Sequence, residues 1–117
     1  MIKLTVSVLG YPITVTAMPA GNDWNIIILG GCTPHVGSVS LAEYENGTVT
    51  LRTLLRDTHK DHIIGNRFAQ LLSEQEHCTV SVSCGIHYNE LIPDDLNKIV
   101  ACTDQLLSEL SLKISQK

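Results

Sequence analysis

The feature that most constrains this chain is a change of hydrophobic period about halfway along it. From Leu4 to Thr53 apolar residues recur at every second position, in short runs broken by turn residues. From Ile64 onward a spacing of three and four appears, is interrupted once, and returns. A period of two puts one side of each run on a buried face, and a period near 3.6 puts a stripe along one side of a helix. Strands first, helices later, is the pattern of an α+β domain.

The individual runs predict the elements. Leu4, Val6 and Val8 alternate with Thr5 and Ser7; Gly10-Tyr11-Pro12 makes a hairpin turn, and Ile13, Val15 and Ala17 resume the alternation. After Gly21-Asn22-Asp23, the stretch Trp24 to Leu29 is continuously apolar from Ile26 on, which predicts a central strand buried on both faces. A loop from Gly30 to Gly37 follows, then strands around Val39–Leu41 and Val49–Thr53 joined by the turn Glu45-Asn46-Gly47. Tight turns between successive strands predict an antiparallel meander. Ile64, Phe68, Leu71 and Leu72 predict a helix from Thr58 to about Glu76, with Thr58 as its cap and Asp61 as the capping-box partner. Cys78 to Tyr88 reads as a strand with Val80, Val82, Cys84 and Ile86 on its buried face. Pro93 and Asp94 open a last helix whose stripe is Leu96, Ile99, Val100, Thr103, Leu106, Leu107 and Leu110, with residues 111–117 as a frayed tail. The expected order is β-β-β-β-β-α-β-α: one mostly antiparallel sheet of about six strands, two helices on one face, a single domain over residues 1–117.

Composition narrows the function classes. With 44% apolar and 17% charged residues the chain can form a packed core, and a net charge of -4 without a basic cluster argues against nucleic acid as partner. The longest apolar run, Ile26 to Leu29, is far short of the about 20 residues that span a bilayer, and the N-terminus lacks a signal-peptide pattern, so the expected location is the cytoplasm. Cys32, Cys78, Cys84 and Cys102 show no CxxC spacing and read as reduced, mostly core-filling thiols.

Candidate chemistry falls at three element ends. Gly30-Gly31-Cys32-Thr33-Pro34-His35-Val36-Gly37 follows the most hydrophobic strand; its glycines admit a ligand or another backbone at close range, or serve a turn and bulge alone. Arg56 and Thr58-His59-Lys60-Asp61 stand at a helix start, where free N–H groups and the dipole favour a phosphate; a solvated helix start is the plain alternative. His87 points away from the Val80–Ile86 stripe, toward solvent, a pocket or a second subunit. Cys32-x-x-His35 and Cys84-x-x-His87 repeat one spacing and could hold zinc, although a strand sends Cys84 and His87 to opposite faces; Cys32 beside His35 could also act as a nucleophile.

Three of these segments together resemble one family. Gly30 to Val39 resembles the Gly-Gly-x-x-Pro-His-(Ile/Val)-Gly signature of the LpdD-like prenylated-flavin chaperones, His59-Lys60-Asp61 is similar to their His-Lys-(Glu/Asp) element, and Cys84 to Asn89 resembles their Gly-Ile-His segment. The likeness covers nearly the whole chain. It implies the fold of eukaryotic proteasome-assembly chaperones, a homodimer or higher oligomer, and no catalytic centre. It further implies that the protein binds reduced prenylated FMN, or FMN, and delivers it to a UbiD-type aromatic-acid decarboxylase, with a flavin prenyltransferase as a further partner. The implied cofactor residues are Gly30, Gly31, Thr33, Pro34, His35, Gly37, Arg56, His59, Lys60, His87 and Tyr88. An assembly subunit of the decarboxylase with no ligand of its own, and a small zinc or thiol enzyme, are the alternatives.

Overall fold

A computed structural model describes residues 1–56 and 61–117. Its elements are β1 (Ile2–Val8), β2 (Tyr11–Ala20), β3 (Asp23–Gly31), β4 (Ser38–Glu45), β5 (Thr48–Leu55), α1 (His62–Glu76), β6 (Val80–His87) and α2 (Pro93–Ser115). This is the expected α+β order, with six strands in one sheet and α1 and α2 on one face of it.

The sheet departs from a simple meander. Its spatial order is β1-β2-β3-β6-β4-β5, so β6 inserts between β3 and β4, parallel to the first and antiparallel to the second. Two antiparallel units, β1-β2-β3 and β4-β5, are thus joined through a strand that arrives after α1. The long connection needed to bring β6 parallel to β3 is what α1 supplies.

Turn chemistry sets the hairpins. Leu9-Gly10 and Asn46-Gly47 both take positive φ at their two residues, the geometry whose twist matches the flanking strands. The first turn is therefore shorter than expected: Tyr11 and Pro12 already belong to β2, with Pro12 opposite Ser7 on the edge strand.

The inner face carries Ile13, Val15 and Ala17 of β2, Trp24, Ile26 and Ile28 of β3, and Val80, Val82 and Cys84 of β6, all buried under the helices. Phe68, Ala69 and Leu72 of α1 and Ile99, Leu106, Leu107 and Leu110 of α2 close the core. Three expectations are corrected here. The run Ile26–Leu29 is buried on one face only: Ile27 and Leu29 lie exposed on the side the helices do not reach. Residues 111–117 are not a frayed tail either. α2 continues to Ser115, Ile114 is buried, and Gln75 of α1 donates to the Ser111 carbonyl at 3.0 Å. Leu96 and Val100, placed on the buried stripe by spacing, are exposed instead, because the buried face of α2 runs through Ile99, Thr103, Leu106 and Leu110.

Beneath α1 the inner face turns polar. The hydroxyls of Ser40 and Thr53 donate to Oδ1 of Asn66 at 2.6 and 2.8 Å, tying β4 and β5 to the helix. The first turn of α1 is built differently from the expectation. Thr58 lies outside the described residues, and Asp61, at the cap position, makes no side-chain cap bond.

Candidate functional site

The site is assembled where β3 and β6 end side by side and the chain loops over to β4. Gly31 is paired with His87, and the backbone N–H of Cys32 donates to the His87 carbonyl at 2.9 Å, so the loop leaves β3 fastened to the end of β6. The Cys32 thiol reaches the same carbonyl at 3.4 Å. The loop then passes over Gly85, close enough that a Cβ there would fall on the His35 carbonyl. The N–H of Gly37 donates to the Cys84 carbonyl at 2.9 Å, and β4 begins.

Asp61 locks this crossing. Its carboxylate is buried and accepts at both oxygens: from the Ile86 N–H at 2.8 Å and from His35 Nε2 at 3.0 Å. Nδ1 of His35 stands 3.0 Å from the Thr33 carbonyl, so both ring nitrogens face oxygen atoms. The side chains of His35 and Asp61 are 14% and 6% exposed, which shields the contact from water and salt far better than a surface pair. Asp61 thus ties the start of α1 to the loop and to β6. Sequence reading assigned it to helix capping and missed this role; the acid three residues after Thr58 was the visible signal, but the partner lay 26 residues upstream.

The expected residues divide clearly. His35 and His87 come together, ring centroids 6.4 Å apart and nearly edge-on. The exposed His87 ring donates from Nε2 to Asn89 Oδ1 at 3.0 Å. Thr33 and Pro34 are exposed on the loop beside them. Arg56 joins from the other side: its N–H donates to the Gly37 carbonyl at 2.9 Å and its guanidinium to the Val36 carbonyl at 3.3 Å. His59 and Lys60 lie outside the described residues. Gly30, Gly31 and Gly37 do give close approach, and the approaching groups are the chain's own: Ile13, the His87 carbonyl and the Asp61 carboxylate. At Gly31, with φ of +82°, any side chain would also be strained. Tyr88 turns away from the histidines. It is buried, its hydroxyl donates to the Val8 carbonyl at 2.8 Å, and its ring meets Tyr11 edge-on, so it secures the β1–β2 hairpin.

Beside Arg56 lies an apolar hollow of about 200 Å³ lined by Val36, Gly37, Ser38, Val39, Leu54, Leu55 and Arg56. Larger hollows lie on the α1 surface near Asn66 and Gln70 and at the corner of Lys3, Lys113 and Lys117, about 390 and 570 Å³. Neither contains a residue of the 30–37 loop, so size alone does not make them the site.

Two of the four thiols are poorly suited to chemistry. Burial raises the Cys84 thiol far above its ordinary range, and the Asp61 carboxylate adds to the effect. Cys78 is raised by burial and by the Asp23 and Glu76 carboxylates. A neutral thiol is neither nucleophile nor ligand. Cys84 faces the core and His87 the opposite side, and no group of three potential metal-ligating side chains occurs among the described residues. No helix of the described residues is long and apolar enough to cross a membrane.

An inserted parallel strand in a six-stranded mixed sheet, with two helices on one face, defines an α+β fold shared with other proteins. The chain superimposes on a subunit of a chaperone complex for yeast 20S proteasome assembly with a TM-score of 0.60 over 97% of its length and 95% of that subunit, at 15% identity. Residues 7–115 match the model of the prenylated flavin chaperone LpdD-like domain, and the chain belongs to that family. It is also 25% identical over 112 residues to Protein LpdD of Lactiplantibacillus plantarum, covering 94% of this chain and 82% of that one.

Proposed function

We propose that this protein is a non-catalytic carrier: it binds reduced prenylated FMN and hands it to a UbiD-type aromatic-acid decarboxylase in the cytoplasm, working as a homodimer or higher oligomer. The observation that supports the reading is the meeting of His35 with His87, together with Arg56 bonded to Val36 and Gly37 of the same loop and lining an apolar hollow there, within a chain of the prenylated flavin chaperone family. Arg56 supplies a permanent cation for a phosphate, joined by His59 and Lys60 of the same segment. Val36, Val39 and Leu54 offer apolar contact to a ring. His87 keeps Nδ1 as an acceptor for an N–H at the flavin edge. An open site of this kind suits a cargo that has to leave again. The cofactor comes from a flavin prenyltransferase, the second partner of the cycle.

The test is anaerobic titration of the purified protein with reduced prenylated FMN. One site per chain is expected, with binding weakened by His35→Ala and by Arg56→Ala; the second is an exposed side chain whose loss leaves the fold intact. Equal binding by Arg56→Ala, His35→Ala and the parent protein removes the site, and no binding at all removes the carrier. Co-purification of a decarboxylase without any dependence on flavin favours the assembly-subunit reading, to which the exposed apolar side chains of Ile27, Leu29, Val39 and Leu54 lend support.

A further inference from the structure

At the edge of the sheet farthest from Arg56, three lysines from distant parts of the sequence meet around one hollow. Lys3 belongs to the start of β1, Lys113 to the last turn of α2, and Lys117 follows just beyond it. With Met1, Ile2 and Gln116 they line a concavity of about 570 Å³. The core sets this arrangement. Ile2 and Ile114 are both buried, which fixes β1 and the end of α2 against the same packed interior, and the lysine side chains are left exposed.

Charge distinguishes this corner from the rest of the surface. Arg52 and Arg67 pair with Glu43 and Asp104 at 2.7 and 2.8 Å. Lys3, Lys113 and Lys117 pair with no carboxylate among the described residues, and like charges around a concave surface raise one another's energy. The negative end of the α2 dipole accounts for Lys113 in the last turn. It does not account for Lys3, which a different element brings there. Glu76 lines an adjoining hollow beyond Lys117, but its carboxylate accepts from Gln75 Nε2 at 3.0 Å instead. An anion seated among the three lysines would supply the counter-charge that the lining residues do not.

Size and charge then define the class of ligand. A concavity of about 570 Å³ falls within the about 300–1,000 Å³ of small-molecule sites. Each ammonium group is a compact charge with three rotatable donors, which suits the oxygens of a phosphate, and three together call for two or more negative charges on one molecule. An extended polyanion fits poorly. The chain carries -4 even with these lysines counted, so a nucleic acid or an acidic membrane surface meets net repulsion beyond the corner. A compact anion held wholly inside the hollow escapes that repulsion.

We propose that Lys3, Lys113 and Lys117, with the Gln116 carboxamide as a neutral donor, form a second binding site, for a small soluble molecule bearing a diphosphate or another group of two or more phosphate charges. The site lies across the sheet from Arg56, five strand spacings or about 24 Å away, so the two are occupied independently. It does not rest on the carrier reading.

The experiment is titration of isotope-labelled protein with inorganic pyrophosphate, inorganic phosphate and acetate at matched ionic strength, followed through the amide resonances. Pyrophosphate is expected to give saturable shifts at residues 2–3 and 112–117, phosphate to bind more weakly, and acetate not to saturate. In the double variant Lys3→Gln/Lys113→Gln pyrophosphate binding is expected to weaken at least about tenfold. Lys98→Gln, which removes an exposed lysine elsewhere on α2, should bind as the parent does. All three substituted side chains are exposed, and circular dichroism confirms that the variants fold. Equal binding by the double variant, or saturation by acetate as readily as by pyrophosphate, overturns the proposal. So do shifts confined to His35 and Arg56, which assign the anion to the histidine site and leave the carrier in place. Co-sedimentation with phosphatidylserine vesicles, without saturable pyrophosphate shifts, also overturns it and assigns the lysines to a membrane surface.

Discussion

Ile26 and Ile28 lie within one strand of Ile27 and Leu29, yet the first pair is buried under two helices and the second faces out. Over these four residues the two sides of β3 differ in cover, not in hydrophobicity. On the inner side the chain provides its own cover, and the covered side is the ordinary core. On the outer side, among the described residues, the loop 31–37 crosses the end of β6 and brings His35 to His87. One face stores stability; the other is kept available, with the candidate site at its rim.

The contrast can be broken by substitution. Phe68→Ala on the inner side removes a fully buried ring and is expected to cost about 3–5 kcal/mol in urea unfolding, whereas Ile27→Ala in dilute protein should cost less than about 1 kcal/mol. Comparable losses from both would show that the outer face is packed against something within the chain. Gly85→Ala probes the loop crossing itself: its methyl group falls on the His35 backbone, and a loss of about 2–3 kcal/mol is expected with displaced His35 resonances. A neutral outcome would mean that the loop does not lie over β6.

Asp61→Ala sharpens the same point. It strips two donors of their acceptor, the Ile86 N–H and the His35 ring, with an expected cost of about 1–3 kcal/mol and a marked rise in hydrogen exchange at Ile86. Unchanged exchange there would remove Asp61 from its bracing role.

The thiols give the smallest effect, and its sign follows from linkage. The Cys84 thiol is held above its ordinary value of 9.0 by burial and by Asp61, so the folded state keeps its proton at pH values where the unfolded chain has lost it. Stability from this group is fully present below about pH 9 and falls as pH rises beyond it, by at most about 1.4 kcal/mol per pH unit. Cys84→Ala should flatten part of that decline in the unfolding midpoint; an identical slope would assign it to Cys78, whose thiol is raised by burial too, and to other groups.

Much of this architecture was legible in the residues. Alternation, the Asn46-Gly47 turn and Pro93 located the elements, because short-range sterics and burial decide them. The insertion of β6 was not legible, since strand order depends on which edges meet after α1 has packed. Ile114 was lost to the tail because a polar run around it hid one buried position, and Ile27 was assigned to the core because apolar sequence does not say which molecule supplies the cover. At the site, His35 and His87 could be picked out individually as polar residues at element ends, while their meeting depended on three close backbone approaches. Tyr88 shows the reverse: an aromatic next to His87 in sequence faces the opposite way, as strand alternation requires.

The central claim, that this protein carries a flavin to an enzyme, is tested most directly by transfer. Protein preloaded with reduced prenylated FMN is mixed anaerobically with an apo-decarboxylase of the UbiD type, and the rise of decarboxylase activity is timed against the same amount of free cofactor. The account predicts faster or fuller activation from the loaded protein, lost with His35→Ala and Arg56→Ala. Activation no better than that by free cofactor, at equal concentrations, would contradict it.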